Sequence, residues 1–346
     1  KFAKRNVFYM KHRRDVRFVN IDFNKPLREQ GPFDILIHKI ASWYVAAKSD
    51  LQGRKQLHDC LGFINSCQTN INGALKAYNG EELKYDDNHG DDTSKHQHAM
   101  FVTDHPECAK RTCDRYDMYH RIREANIKMD QVSFSVPNFV LLRHDQIELL
   151  KADKVRTQSN ALWDQIKSTL TFPIIAKPRL AVSPVVNGIK NKKASAHTMY
   201  IIPNISQIYV ALNSFKAQTQ EETDWILQDY IDHLGCHKVY VVGNDVFVTV
   251  NDSTATVDCI NKSAEFTFID TSKYSKTPFS DQSAKKYENL YQHVSVCLNR
   301  QFDLNCFGYD LLFDSKTNNG YIVDVNYLPG YKSVPNFSAV FWGFVL

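Results

Sequence analysis

The sequence predicts an α/β (α+β) protein with a strand-rich second half. Three observations carry this. Helical periodicity and short β-forming apolar runs occur in the same chain, so neither an all-helical nor an all-strand class fits. From Phe172 onward the short apolar runs dominate. Hydrophobic residues make up 43% of the 346 residues against 23% charged, with 21 Phe and 17 Tyr to fill cores. That balance excludes collagen-like, coiled-coil and wholly disordered classes. At about 150 residues per domain, the length corresponds to two or three compact units.

Taken in order, Phe18 to Asp22 and Asp34 to Ile40 read as strands joined by a polar, proline-containing loop. Ile40 to Ile64 has helical periodicity through Leu51, Leu57, Leu61 and Ile64. Tyr78 to His98 is nearly all polar, with Gly and Asp-Asn turn signals, and predicts an exposed, mobile loop. Ala99 to Thr103 resumes an apolar run. Asp114 to Ala125 predicts a helix with Asp114 as its N-cap. Val136 to Leu142 reads as a strand and Ser159 to Leu170 as an amphipathic helix. The strands Phe172 to Lys177, Thr198 to Ile202, Trp225 to Ile231, Lys238 to Val242 and Val246 to Val250 follow, with a lysine-rich loop at Val182 to Ala196. Lys285 to Leu298 carries Tyr287, Leu290, Tyr291, Val294 and Leu298 on one helical stripe. Two last strands, Phe307 to Phe313 and Tyr321 to Val325, flank the turn-rich DSKTNNG.

The net charge of +4 is mildly basic, short of a nucleic-acid binder's. No apolar run reaches the roughly 18 residues of a membrane span. Phe337 to Leu346 is apolar but short, and predicts a buried final element. The chain starts at Lys1 with no signal pattern, so a segment is expected upstream of it. The eight cysteines form no CxxC pair and read as reduced, buried thiols of the cytosol or nucleus. His96, His98, His105, Cys108 and Cys113 crowd together. Their spacing fits no zinc-finger pattern, so a polar insertion followed by a strand is the reading, with zinc as the alternative.

Chemistry concentrates near the C-terminus. Asp310 closes CFGYD, and Asp324 and Asn326 lie two apart in YIVDVN, which puts both on one face of a strand. If the two strands pair as a hairpin, Asp310 joins them in an oxygen cluster suited to Mg²⁺. The alternative is two solvated acids and a turn asparagine. Lys177 ends the apolar strand of FPIIAKP, either snorkelling to solvent or aimed at a phosphate. Gln228 and Asp229 interrupt WILQDYI, where the Gln228 amide or the backbone beside it could meet an adenine edge.

The order strand-lysine, strand with a Gln hinge, then Asp…Asp-x-Asn resembles the ATP-grasp arrangement. FNKPLREQGPFDILIHKI, CDRYDMYHRI, TFPIIAKPR, ILQDYIDH, HKVYVVG and FGYDLLFDSKTNNGYIVDVNYLPGY together resemble the inositol-tetrakisphosphate 1-kinase (inositol 1,3,4-trisphosphate 5/6-kinase) family over about Val16 to Val334. The resemblance implies an N-terminal α/β domain at 1–113 carrying the polar insertion 78–98, a central lobe at 114–227 and a C-terminal lobe at 228–346, with ATP between the last two. It implies ATP as donor, Mg²⁺ as cofactor and an inositol polyphosphate as substrate. A monomer in the cytoplasm or nucleus is expected, with no nucleic-acid or membrane partner.

The resemblance also assigns roles. Asp310, Asp324 and Asn326 match metal ligands. Arg115, Lys177, the hinge Gln228, Asp229, Tyr230 and Ile231, and the hydroxyls of Ser253, Thr271 and Ser275 match the nucleotide side. Lys39, His197, Lys238, Asn326 and Gly330 match the substrate side, with Lys177, His197 and Lys238 nearest the transfer. The chain begins after a family lysine. Val182 stands where the family has histidine, and the neighbourhood of Asn251 replaces an arginine. Each departure removes a cation or donor, and a charge-assisted contact is worth about 1.5–3 kcal/mol. Lys190, Lys192 and Lys193 would compensate if they lay over the same cleft; the other reading is a solvated charge run. Two further readings stay open: a nucleotide- or inositol-phosphate-binding relative without turnover, and an ATP-grasp carboxylate–amine ligase.

Overall fold

The structure, a computed structural model, describes residues 7–9, 15–17, 19–22, 25, 29–31, 33–47, 51–68, 101–150, 161–182, 185–186, 189–190, 198–219, 222–252, 265–270, 276–277, 281–331 and 334–345. Strands β1 (Val7–Tyr9), β2 (Asp15–Arg17) and β3 (Ile35–Leu36) come first, then helices α1 (Ala41–Ala46) and α2 (Leu51–Gln68), and strand β4 (Phe101–Val102). The chain forms two compact units.

The smaller unit comprises residues 1–37 and 54–102. It holds the antiparallel pair β1–β2, the parallel pair β3–β4 and most of α2. The expected strand at Phe18 to Asp22 is not one over its described residues 19–22. The Gln30 side chain takes both backbone groups of Asp22: Asp22 N donates to Gln30 Oε1 at 2.8 Å and Gln30 Nε2 donates to Asp22 O at 2.7 Å. A side chain thus supplies what a strand partner would.

The larger unit comprises residues 38–53 and 103–346. After α1 come α3 (Pro106–Lys110) and α4 (Arg115–Glu124), then β5 (Ile127–Met129), β6 (Val132–Ser135) and β7 (Phe139–Leu142). Next are α5 (Ala161–Thr169), β8 (Ile174–Pro178), β9 (Val185–Val186), β10 (Ile189–Lys190), β11 (Thr198–Ile202), α6 (Gln207–Thr219) and β12 (Trp225–Asp229). The last elements are β13 (Gly235–Val242), β14 (Asp245–Asp252), β15 (Thr267–Asp270), β16 (Lys276–Thr277), α7 (Asp281–Phe302), β17 (Cys306–Phe313), β18 (Gly320–Tyr327) and α8 (Phe337–Val345).

Two sheets organise this unit. One runs β15-β11-β8-β12-β7, the other β16-β14-β13-β17-β18-β6-β5. The first packs on α5 and α6 through Ile166, Ile208, Leu212 and Trp225. The second buries Val239, Tyr309, Leu311 and Val325 against Tyr119, Ile122, Val294 and Leu298 of α4 and α7. The strands of the second sheet therefore give one face to a core and leave the other for chemistry.

Most expected elements stand close to where they were placed. Asp114 caps α4, its carboxylate accepting from Tyr116 N at 3.0 Å. The strand expected from Val136 starts only at Phe139, because Pro137 has no N–H for a ladder. The helix expected over Ile40 to Ile64 is two, α1 and α2. Helix α6 was not foreseen, although Ile208, Ala211, Leu212 and Phe215 have helical spacing. The final element is a helix with Phe341 and Trp342 buried. The expected loop at 78–98 lies outside the described residues.

Candidate active site

Register builds the site. Lys238 pairs with Thr249 on one side and Asp310 on the other, and Asp310 pairs with Asp324. Thr249, Lys238, Asp310 and Asp324 thus form a row across four neighbouring strands, and Asn326 lies two residues further along β18, opposite Gly308. The register shifts between Asp310 and Leu311, which leaves Val323 as the extra residue on β18; strand alternation puts Asp310 in the row and Leu311 in the core.

Lys238 Nζ contacts both oxygens of Asp310, at 2.8 and 2.7 Å. Burial pulls the Lys238 ammonium down, but Asp310 outweighs it and holds the lysine above its ordinary value. It is a fixed cation, not a proton acceptor. Asp324 Oδ2 accepts from Asn326 Nδ2 at 3.0 Å.

The first sheet brings cations to the same place. Lys177, buried in β8, donates to Val323 O at 3.4 Å. Burial, with Arg115 nearby, lowers it to about 8 despite Asp324 and Asp310. Arg115 opens α4 and donates through Nη1 to Pro178 O at 2.7 Å and Leu180 O at 3.1 Å. Its Nε lies 3.8 Å from Asp324 Oδ1. Three cations and two carboxylates therefore converge from two sheets and one helix start.

The hinge is braced from behind. The Tyr119 hydroxyl lies 2.7 Å from Gln228 Oε1 and 2.9 Å from Val323 O. Gln228 is 1% exposed and its amide oxygen is taken by Tyr119, so the side chain is closed to a ligand. Asp229 accepts from Thr171 N at 2.7 Å and Asn138 Nδ2 at 2.9 Å. Tyr230 N donates to Pro173 O at 3.1 Å, which continues the β12–β8 register one residue past the end of β12. His233 Nδ1 lies 2.7 Å from Ile231 O.

Lys39 reaches the opposite end of the row, donating to Leu328 O at 3.0 Å. The Tyr327 hydroxyl donates to His38 O at 3.1 Å, and His38 Nε2 lies 2.7 Å from Asp104 O. Gly308 is needed here: a Cβ on it would lie 2.9 Å from Val239 O and 3.0 Å from Pro329 Cγ. The bare backbone lets the turn carrying Gly330 lie over β17.

The structure thus gathers Lys39, Arg115, Lys177, Lys238, Asp310, Asp324 and Asn326. Val182 is half-buried two residues beyond Leu180, whose carbonyl holds Arg115. Asn251 faces the same side as Lys238 from β14, next to Cys236 in register. Burial and Asp310 push the Cys236 thiol up to about 12. Sequence reasoning missed Thr249, Gly308 and Tyr119; the alternation of VFVTVND would have placed Thr249 beside Asn251. Among the described residues, the oxygens Thr249 Oγ1 and Asn251 Oδ1 are buried without a hydrogen-bond partner. His197, Ser253, Thr271, Ser275, Lys192 and Lys193 lie outside the described residues, as does the side chain of Lys190. Of the residues read as a zinc alternative, His96 and His98 also lie outside; His105 caps α3, Cys108 Sγ donates to Asp303, and Cys113 Sγ to the main chain.

Among the described residues no three His, Cys, Asp or Glu side chains group as a metal site. The oxygen set of Asp310, Asp324 and Asn326 nevertheless suits a hard cation. Among the described residues Asp324 Oδ1 is a buried acceptor with no hydrogen bond, and each carboxylate oxygen of Asp310 keeps a second lone pair beyond the one facing Lys238.

The family model described as the inositol 1,3,4-trisphosphate 5/6-kinase ATP-grasp domain matches residues 129–346. The pre-ATP-grasp domain of the same family matches residues 1–65. Inositol-tetrakisphosphate 1-kinase 1 of Oryza sativa subsp. indica is 23% identical over 355 residues, covering 100% of this chain and 80% of that protein. The Arabidopsis thaliana protein of that name is 25% identical over 372 residues, covering 99% and 91%. Among solved structures, D-alanine–D-alanine ligase from Bacillus anthracis has a TM-score of 0.44 at 12% identity, over 70% of this chain and 66% of that one. This chain spans just under two thirds of that ligase, a likeness too distant to inform the site.

Proposed function

Because the chain belongs to the inositol 1,3,4-trisphosphate 5/6-kinase family, with its ATP-grasp fold, we propose that the cleft around Lys177, Asp310 and Asp324 transfers the γ-phosphoryl of ATP to a free hydroxyl of an inositol polyphosphate. The supporting observation is the convergence of Lys177 and Arg115 on the carboxylates of Asp310 and Asp324. Phosphoryl transfer is mostly positioning and charge stabilisation, and fixed cations beside fixed carboxylates supply both.

Asp310, Asp324 and Asn326 would hold Mg²⁺, which when bound offsets charge between the terminal phosphates of the nucleotide. Lys177 and Arg115 hold the polyphosphate tail. The main chain at Gln228 to Ile231 receives the adenine, braced by Tyr119, Asp229 and His233. Lys238 and Lys39, with His197, hold phosphates already on the substrate ring and place one hydroxyl in line. Asn326 and Gly330 bound the ring side. Val182 and Asn251 leave that wall less cationic than the resembled family's.

An ADP-release screen over a panel of inositol phosphates, with and without Mg²⁺ and with product position read by NMR, tests this reading. Release that needs both an inositol polyphosphate and Mg²⁺ is expected. Release driven only by an amino acid or peptide acceptor would make the chain a ligase, and no release with either would make it a binding protein.

A further inference from the structure

A groove outside the cleft runs along the free edge of the five-stranded sheet. Among the described residues β7 ends that sheet, with β12 its only neighbour. The groove is lined by three consecutive β7 residues, Phe139, Val140 and Leu141. Consecutive side chains of a strand point to opposite faces. Phe139 indeed belongs to one core cluster and Val140 to the other. A groove touching all three therefore follows the strand's edge, where the main-chain groups not used by β12 face outward.

Its walls are basic. His120 and Arg123 line it from α4, and Arg143, Gln146 and Gln165 from the other side; among the described residues no carboxylate lines it. The Arg123 guanidinium lies over the Phe139 ring at 4.3 Å and reaches Pro137 O only at 3.4 Å. Among the described residues neither Arg123 nor Arg143 has a carboxylate partner. Arg123 is thus held at the strand edge with its charge uncompensated.

We propose that this groove takes an extended acidic segment of a partner protein, which adds as a strand to β7 and places Asp or Glu side chains against Arg123 and Arg143. Strand addition gives affinity through main-chain bonds, and guanidinium forks give selectivity for carboxylates. Charge selects this occupant. A second copy pairing β7 to β7 would set arginines against arginines. The chain's own residues 151–160, KADKVRTQSN, carry Lys151, Lys154 and Arg156 against Asp153 and so match the groove in sign. The strand has four residues, which limits the pairing to a weak, exchangeable one.

The test uses the full chain and a set of hexapeptides X-Asp-X-Glu-X-Thr, with X drawn from Val, Ile, Thr and Tyr. Controls are the same peptides with Lys for the acids, peptides N-methylated on alternate amides, and inorganic phosphate. Acidic peptides should slow hydrogen exchange at the 139–142 amides, and Arg143→Gln, at an exposed position, should weaken binding about tenfold with ADP release unchanged. Arg123→Gln should do the same if its melting temperature is preserved. The proposal is overturned if no acidic peptide binds, in which case the arginines only guard an edge. It also fails if lysine peptides or N-methylated peptides bind as well, or if phosphate alone protects the same amides, which would mark an anion pocket.

Discussion

Lys177 shows how one residue's surroundings set its chemistry. Burial disfavours its ammonium and Arg115 adds to that, so it titrates at about 8 against an ordinary 10.5. Asp324, Asp310 and Cys236 oppose the shift without cancelling it. A lowered lysine costs the fold most below pH 8, where it is charged. The penalty is relieved as pH rises from 8 towards 10.5, so this residue makes the fold gain stability across that window. A bound polyphosphate restores the charged form. ATP binding just above pH 8 should therefore take up a proton, seen by calorimetry in buffers of different ionisation enthalpy, and Lys177→Ala should abolish the uptake. That variant should also lose more affinity for ATP than for inositol phosphate; equal losses would mark a structural lysine. Thr249 offers the converse test. Its buried hydroxyl has no hydrogen-bond partner among the described residues, so Thr249→Val should raise the ligand-free stability by about 1 kcal/mol in urea denaturation. A loss of stability would mean that the hydroxyl is bonded in solution.

Elements hold these residues in register, and Tyr119 is the clearest link between them. It stands on α4 and bridges Gln228 of β12 and Val323 of β18. Tyr119→Phe should cost about 1–3 kcal/mol, because the single hydroxyl proton shared by Gln228 Oε1 and Val323 O is lost and Val323 O keeps only the longer bond from Lys177, and should weaken ATP binding through a looser hinge. Unchanged stability in urea denaturation, with unchanged ATP affinity, would show the link to be dispensable. The strand pair β17–β18 was legible because its alternation is local and puts Asp324 and Asn326 on one face. The row across the sheet was not, because Lys238 and Asp310 are 72 residues apart and Tyr119 and Gln228 are 109 apart. Periodicity carries no information on which distant strand pairs with which. The strand expected at Phe18 to Asp22 is absent over 19–22, where the main chain of Asp22 bonds the Gln30 side chain, a partner that period-two alternation does not reveal. Helix α6 is readable from the helical spacing of Ile208, Ala211, Leu212 and Phe215. Lys177 was readable as a candidate from its place at the end of an apolar strand, whereas Lys39 and Arg115 enter the site only through the family resemblance, since spacing alone does not aim a cation.

For the molecule as a whole, the larger unit contains both sheets and every described residue of the candidate cleft. The net charge is only +4, so binding of a highly charged ligand rests on how cations are gathered and not on their number. In the proposed substrate wall two positions, Val182 and Asn251, are uncharged where the family resemblance implies a histidine and an arginine. Val182→His with Asn251→Arg should raise kcat/KM on an inositol tetrakisphosphate more than on a trisphosphate and steepen its salt dependence. Neither change would place these positions outside the substrate wall. The most direct measurement of the central claim is the phosphate balance by ³¹P NMR with ATP and an inositol phosphate, for the wild type and for Asp324→Asn. The account predicts one new ring phosphate ester for each ADP formed. In the variant both should fall by about a hundredfold or more, with the circular dichroism spectrum unchanged, because a ligand charge is lost at a cleft and not in a core. ADP formed without ring phosphorylation, or transfer that survives in the variant, would contradict it.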